Sequence, residues 1–219
     1  MKVKDRMTTT VITVEMETSM TEAFRLMKEN DIRRLPVLEK GKVAGIITLT
    51  DLNQASPSSA TSLSIHELNY LLAKTKIKDI IPKKQKLITV SPEAYIETAA
   101  KLMRQNTVSG LPVTENDKLV GIITETDLFD SLIDILGVNQ PHTRIDLFAE
   151  DKPGVLAEIT GLIASKNINI LNIVVYYDKK RDLYKVIIRI EDAEYSSVVE
   201  ELKNKGYDIE SVLVRDDVE

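Results

Sequence analysis

The chain has 219 residues, of which 43% are hydrophobic and 29% are charged, and its net charge is −5; these values are typical of a globular protein long enough for two domains. The acidic balance argues against a surface that coats nucleic acid, and the lack of cysteine excludes disulfides and thiolate chemistry. Because the sequence shows neither a signal-peptide core nor a run of about twenty apolar residues, we expect a cytoplasmic protein with no membrane or nucleic-acid partner.

An internal repeat organises residues 3–135. Residues 45–52 read GIITLTDL and residues 121–128 read GIITETDL, 76 positions later. The same spacing relates residues 35–37 to 111–113 and residues 12–14 to 88–90. A spacing two residues shorter relates residues 3–5 to 77–79. A register held over this distance indicates two copies of one supersecondary unit.

Both copies predict the same order of elements. A short β-type run comes first, at 11–14 and 87–90, and an amphipathic helix follows it. Ser19 and Glu22 are spaced for a capping box at the start of the first helix, and the pair Ser91-Pro92 predicts the start of the second. Two strands joined by a turn come next in each copy, at 35–38 and 43–48 and at 111–114 and 119–124.

The last element of each copy is a helix that begins near Asp51 or Asp127. Between the copies, the serine-rich residues 55–64 predict a linker, and Ser64 with Glu67 predicts a capped helix to about Lys74. We therefore place the first copy with its linker at 1–62 and the second at 63–137.

The phrase GIIT-x-TD lies where a strand runs into a helix. Its glycine allows close approach to the backbone, and a helix N-terminus favours phosphate. Thr48 and Thr124 can add hydroxyl hydrogen bonds, and Asp51 and Asp127 can accept bonds from a ribose diol. The alternative is that threonine and aspartate only cap the helix.

The doubled motif, an LPV strand followed by G-x-x-T-x-x-D, resembles paired cystathionine-β-synthase (CBS) domains, called a Bateman module. This resemblance implies two clefts for adenine nucleotides or other adenosyl compounds, with Thr48 and Asp51 in one and Thr124 and Asp127 in the other. It assigns to the clefts the following residues: Thr10, Val11, Ile12, Arg33, Arg34, Pro36, Gly45, Thr48 and Asp51 in the first copy, and Leu87, Ile88, Ser109, Gly110, Pro112, Gly121, Thr124 and Asp127 in the second.

The two copies differ just before the LPV strand. The first has Arg33-Arg34, whereas the second has Ser109-Gly110. Arginine binds phosphate oxygens with two N–H groups at once, so we expect the two clefts to differ in affinity. The alternative is a solvated arginine pair. Lysines 83, 84 and 86 offer a weaker candidate for phosphate, because charge runs in loops are usually solvated.

Residues 142–219 predict a third domain after a connector at 137–141. Strands at 143–149, 168–177, 183–190 and 207–214 and helices after residue 151 and near 193–205 give the order βαββαβ, an antiparallel sheet with helices on one side. The motif DKPGVL at 151–156 and residues 168–170 resemble the ferredoxin-like ACT domain. That resemblance implies an effector site at Asp151, Gly154 and Asn169; the alternative is a dimerising domain without a ligand.

The predicted fold is therefore α/β (α+β), with a Bateman module followed by an ACT domain. This order resembles that of the acetoin utilisation proteins and implies a regulator, tied to acetoin or butanediol catabolism and acting on an enzyme partner. The ligands it implies are AMP, ADP, ATP, NAD or S-adenosylmethionine. The alternatives are a dimerisation scaffold with empty clefts and an amino-acid sensor.

Enzymatic activity and a metal site are not expected. The sequence has two histidines, His66 and His142, and neither lies in a triad, a metal motif or a phosphate loop. We interpret both as surface residues. Because CBS pairs and ACT domains tend to self-associate, we expect a homodimer.

Overall fold

The computed structural model describes residues 1–57, 64–81, 86–191 and 195–215. They form two compact units, Met1–Leu128 and Phe129–Glu219. Most of the predicted linker, lysines 83 and 84 and the predicted helix start at 193 lie outside the described residues. The domain boundaries at 1–62, 63–137 and 142–219 stay predictions.

The first unit contains both copies of the repeat, and its last helix continues into the second unit. After a 3-10 turn at Val3–Asp5, the elements in chain order are β1 (Val14–Glu15), α1 (Met20–Glu29), β2 (Arg34–Glu39), β3 (Lys42–Thr48), α2 (Leu49–Ala55), α3 (Ile65–Lys74), α4 (Ile77–Ile80), α5 (Ile96–Asn106), β4 (Gly110–Glu115), β5 (Lys118–Thr124) and α6 (Glu125–Leu136).

The two predicted hairpins are confirmed with the same register. β2 pairs antiparallel with β3, and β4 pairs antiparallel with β5; Val37 lies opposite Gly45 as Val113 lies opposite Gly121. A bulge follows this pair in each hairpin. The predicted caps at Ser19 and Ser64 are also formed, since each serine oxygen accepts from the backbone N–H three residues on.

The predicted first strands and one helix start are wrong. In the first copy only Val14–Glu15 forms a strand, parallel to β2, and in the second Val90 forms an isolated bridge with Val113. Residues 11–13 and 86–89 are irregular. Helix α5 begins at Ile96, because Ser91 and Pro92 lie in a turn whose Glu93 N–H donates to Ser91 Oγ at 3.2 Å.

The two copies exchange the short helical turns that precede them, Val3–Asp5 and Ile77–Ile80, which we call their leading turns. Val3 is fully buried in the core of the second copy, among Val90, Leu111 and other apolar residues, and its N–H donates to Ala94 O at 2.8 Å. Ile77 is fully buried in the core of the first copy, and its N–H donates to Thr18 O at 3.0 Å. Each copy therefore needs the other to complete its hydrophobic core.

The second unit has the predicted βαββαβ order. Its elements after α6 are β6 (His142–Ala149), α7 (Val155–Ser165), β7 (Ile170–Asp178), β8 (Leu183–Ile190), α8 (Tyr195–Asn204) and β9 (Asp208–Arg215). The sheet order is β7-β8-β6-β9 with every neighbouring pair antiparallel. One core joins this sheet to both helices through Ile145, Ile159, Ile188 and Val198.

The surface interpretation of His142 is wrong. This residue begins β6 and is only 3% exposed, with Nδ1 2.6 Å from the backbone oxygen of Gln140. The Nδ1–H therefore donates to that oxygen, and the ring acts as a buried structural group. His66 is exposed in the first turn of α3, as expected.

A buried ion pair lies on the sheet of the second unit. Asp146, 3% exposed, accepts from Arg144 Nε at 2.6 Å and Nη2 at 2.8 Å, and Lys185 Nζ lies 3.1 Å from its Oδ2. Burial raises the pKa of Asp146, but the hydrogen bonds from Arg144 and Lys185 outweigh it and hold the pKa below its usual value.

Across the described residues, no helix is long and apolar enough to cross a bilayer.

Candidate functional site

Two clefts of the first unit lie beside the repeat motifs, and the larger one, cleft 1, has a volume of about 1340 Å³. It exceeds the roughly 300–1,000 Å³ of most ligand sites, so a nucleotide-sized molecule fits within it. Both copies contribute to its wall: Thr8, Thr10, Val11, Ile12, Asn30, Asp31, Ile32, Arg33, Arg34, Pro36, Thr48, Leu49, Thr50 and Asn53 from the first copy and the segment before it, and Ser109, Ile122, Thr124, Glu125, Thr126 and Asp127 from the second.

The smaller one, cleft 2, has a volume of about 180 Å³, below the usual range for ligand sites. Its wall consists of Arg34, Ile46, Thr48, Lys86, Leu87, Ile88, Thr107, Val108, Ser109 and Gly110. The two clefts are therefore related in composition but unequal in size, and three residues line both: Arg34, Thr48 and Ser109.

Each cleft combines the irregular leading segment of one copy with a helix start of the other. Residues 10–12 share cleft 1 with Thr124 and Asp127, whereas Leu87 and Ile88 share cleft 2 with Thr48. Because residues 11–13 form no strand, their N–H and C=O groups take no part in strand pairing. Apart from Val11 N, which donates to Thr9 O at 3.1 Å, these groups can serve a ligand.

The threonine and aspartate of each motif form a helix cap. Thr48 N donates to Asp51 Oδ2 at 2.8 Å and Asp51 N donates to Thr48 Oγ1 at 3.2 Å. In the second copy, Thr124 N and Oγ1 both donate to Asp127 Oδ2 at 2.7 Å. Asp127 also lines cleft 1, so the capping role and a ligand role are compatible there; Asp51 lines neither cleft.

Arg33 and Arg34 occupy different environments. Arg33 is exposed and lines cleft 1, while its carbonyl accepts from Leu49 N at 2.8 Å. Arg34 is half-buried, and its Nη2 donates to Ser109 Oγ at 2.8 Å. Burial lowers the pKa of Arg34, and the charges of Glu125 and Asp127 oppose that effect. Arg33 thus faces solvent, whereas Arg34 lies in the contact between the two copies.

The glycine of the motif serves the fold in the second copy. A Cβ on Gly121 would lie 2.6 Å from Met7 Sδ and 3.0 Å from Thr8 O, where Thr8 pairs with Ile122. Glycine here therefore admits the leading segment of the chain rather than a ligand. Four of the residues that the resemblance assigns to the clefts line neither of them: Gly45, Asp51, Pro112 and Gly121.

Several lining residues were missed by the sequence analysis. The most informative are the acidic residues Asp31 and Glu125, which line cleft 1 with Arg33, Arg34 and Asp127. Glu125 could have been found, because it is the variable position inside the GIIT-x-TD phrase. Asp31 follows the end of α1 and carries no motif signal. Among the described residues, no group of three histidine, aspartate or glutamate side chains could hold a metal ion.

The predicted effector residues of the second unit are exposed. Asp151 and Gly154 lie in the turn before α7, and Asn169 lies just before β7, where its carbonyl accepts from Glu191 N at 3.1 Å. Gly154 has a φ of +94°, which favours glycine, and a Cβ there would meet open space. Gly154 is therefore explained by the backbone turn at the start of α7. An effector role for Asp151, Gly154 and Asn169 stays a prediction.

Comparison with known proteins identifies both families. The CBS domain model matches residues 3–58 and 77–134, which together make up more than half of the chain. The chain belongs to the CBS-domain family. The ACT domain model matches residues 143–207. The predicted order, a CBS pair followed by an ACT domain, is confirmed.

Proteins with CBS domains are among those similar to this chain. A CBS domain-containing protein of Dictyostelium discoideum is 35% identical over 143 residues, covering 64% of this chain and 97% of the relative. A Vibrio cholerae structure assigned to acetoin utilization (AcuB) has 29% identity and a TM-score of 0.51, covering 63% of this chain and 94% of its own. The CBS pair of protein MJ0100, solved with 5′-methylthioadenosine and S-adenosyl-L-methionine, has 26% identity and a TM-score of 0.49, covering 60% and 95%.

Proposed function

We propose that this CBS-ACT protein is a regulatory sensor that binds an adenosyl ligand in cleft 1. The observation that carries the proposal is the meeting, in a cleft of about 1340 Å³, of the irregular residues 10–12 with Thr124 and Asp127. Backbone groups that take no part in strand pairing suit the edge of an adenine, and an aspartate suits the ribose diol. Both matched families consist of regulatory rather than catalytic domains.

The charges of cleft 1 favour a ligand with little net negative charge. Two arginines line it with three acidic residues, Asp31, Glu125 and Asp127. A triphosphate would bring about four negative charges next to these carboxylates, and like charges repel. AMP and S-adenosylmethionine are therefore preferred over ADP and ATP, which carry more negative charge and are expected to bind more weakly.

The ACT domain is the proposed output of the sensor. A ligand that binds one arrangement of the two copies better than another shifts the equilibrium by that difference. We propose that this shift passes to the ACT domain and from there to a regulated enzyme, in acetoin or butanediol catabolism. An effector at Asp151, Gly154 and Asn169 is a second input in this scheme.

A homodimer is the proposed assembly. Helix α6 carries Phe129, Leu132 and Ile133, which are 65%, 49% and 40% exposed in the single chain. Their spacing places them on one side of the helix, and an apolar side of this kind is typical of a self-association surface. Sedimentation at micromolar concentration should therefore show a dimer, and a monomer with and without nucleotide would contradict this.

A thermal-unfolding panel tests the sensor proposal. A ligand at about a hundred times its dissociation constant should add roughly 2.7 kcal/mol to the free energy of unfolding of the unit that binds it. We expect AMP or S-adenosylmethionine to raise the melting midpoint of the full-length protein, and GMP not to raise it. If no adenosyl compound raises the midpoint, the sensor proposal is wrong and the scaffold hypothesis takes its place.

A further inference from the structure

Arg34 and Gly110 occupy the same position in the two copies, 76 residues apart, and they meet in the structure. A Cβ added to Gly110 would lie 2.9 Å from both Cδ and Nη1 of Arg34. Heavy atoms that close must shift apart, so a side chain at position 110 would displace the end of Arg34 from its present place. The glycine of the second copy is thus what lets the Arg34 side chain lie against that copy.

The side chain of Arg34 reaches into the second copy and is held there. Its Nη2 donates to Ser109 Oγ at 2.8 Å, and its carbons lie over the backbone of Gly110. Ser109 and Gly110 are wall residues of cleft 2, and Arg34 itself lines that cleft. If position 34 were glycine, as position 110 is, this part of cleft 2 would be empty. The guanidinium of Arg34 fills it instead.

The unequal sizes of the clefts follow from this placement. Cleft 2 has about 180 Å³ and cleft 1 about 1340 Å³, although both are built from equivalent segments of the repeat. Ligand sites for small molecules usually need at least about 300 Å³. Cleft 2 falls short of that size, and the Arg34 side chain is part of its wall.

We infer that Arg34 limits the CBS pair to one adenosyl ligand per chain, bound in cleft 1, because its side chain occupies the space that a second ligand would need in cleft 2. This inference rests on the proposed function. It assigns Arg34 a role in stoichiometry that Arg33 does not share, since Arg33 lines cleft 1 and not cleft 2.

Isothermal titration of the full-length protein with AMP, and separately with S-adenosylmethionine, tests the inference. The wild type should bind one molecule per chain, and Arg34→Ala should bind two. Arg34→Met is the matched control, because it keeps a long side chain over Gly110 and should bind one. Arg33→Ala should bind one, more weakly than the wild type.

The outcomes separate the inference from the function on which it rests. Two molecules per wild-type chain, or one per chain in a folded Arg34→Ala variant, would overturn the inference and leave the sensor proposal standing. A stoichiometry of two for Arg34→Met would also overturn it, because charge rather than size would then close cleft 2. If neither the wild type nor Arg34→Ala binds either compound, both the inference and the sensor proposal fail. Circular dichroism of each variant verifies that it is folded.

Discussion

Val3 and Ile77 hold equivalent positions in the two copies of the repeat, and each is fully buried in the core of the other copy. The exchange also includes ion pairs at the surface, where Lys2 and Lys4 bind Glu93 at 2.6 Å and Lys78 binds Glu17 at 2.8 Å. The two copies therefore share their hydrophobic cores, and we expect a change in the leading turn of one copy to weaken the other copy.

Truncation of Ile77 tests this exchange. Ile77→Ala removes a fully buried side chain and should lower the free energy of unfolding by about 2–5 kcal/mol, measured by urea denaturation. The distinctive readout is hydrogen exchange, in which protection should fall first in the hairpin β2–β3 of the first copy. If protection fell first in β4–β5, Ile77 would belong to the core of its own copy and the exchange would be contradicted.

The paired caps allow stability and binding to be measured separately. Asp51 and Asp127 both accept hydrogen bonds from the threonine that precedes their helices, so Asp51→Ala and Asp127→Ala should each cost about 1 kcal/mol of stability. Only Asp127 lines cleft 1. Titration with AMP should therefore show weaker binding for Asp127→Ala and nearly unchanged binding for Asp51→Ala. Equal losses of affinity would contradict the assignment of the ligand to cleft 1.

Much of the fold was predictable because it depends on local pattern. The hairpins follow from apolar runs on either side of short turns, and the caps at Ser19 and Ser64 follow from residues three positions apart. The first strands were overestimated for a physical reason. A β-type sequence forms a strand only where a partner is available, and Val11 and Ile12 line cleft 1 instead.

The contacts between the copies could not be read from the sequence. The motif predicted that glycine admits a ligand, whereas Gly121 makes room for Met7 and Gly110 makes room for Arg34. Both contacts join residues more than 70 positions apart, and no single-sequence pattern encodes such a distance. Most of the residues that the resemblance assigns to the clefts line one of them, but the unequal size of the clefts depends on side-chain placement.

Asp146 should give the second unit a characteristic response to acid. Asp146→Asn leaves Arg144 and Lys185 without their shared carboxylate and should cost about 2–3 kcal/mol, less than for a fully buried pair because the Arg144 side chain is 33% exposed. The folded-state pKa of Asp146 lies below its unfolded value of about 3.9, so its contribution is present above that pH and lost as the pH falls through the folded value.

Chemical denaturation between about pH 6 and pH 2 measures this effect. The difference in free energy of unfolding between the wild type and Asp146→Asn should shrink as the pH is lowered. Asp178→Asn on the same unit serves as a comparison, because backbone N–H groups of Lys180 and Arg181 lower the pKa of the more exposed Asp178. Its difference should shrink in the same direction, but by less than that of Asp146→Asn. A difference that stayed constant with pH would show that the ion pair does not stabilise the folded unit.

Arg189 is a buried charged residue that we expect to destabilise the second unit. It is 5% exposed, and within the described part of the chain its Nε and Nη1 are buried without a hydrogen-bond partner. Burial lowers the pKa of Arg189, and the neighbouring charge of Arg144 lowers it further, while the charge of Asp146 opposes both effects without cancelling them. Arg189→Met should therefore raise the free energy of unfolding by about 1 kcal/mol or more. Arg144→Met, which breaks a bidentate pair, should lower it. Destabilisation by both variants would show that Arg189 has a stabilising partner.

A crystal structure of the full chain grown with AMP or S-adenosylmethionine tests the central claim most directly. The account predicts difference density for one ligand per chain in cleft 1, with the adenine against residues 10–12, the ribose within hydrogen-bond distance of Asp127, and cleft 2 closed by Arg34. Density for the ligand in cleft 2, or on the second unit with cleft 1 empty, would contradict it.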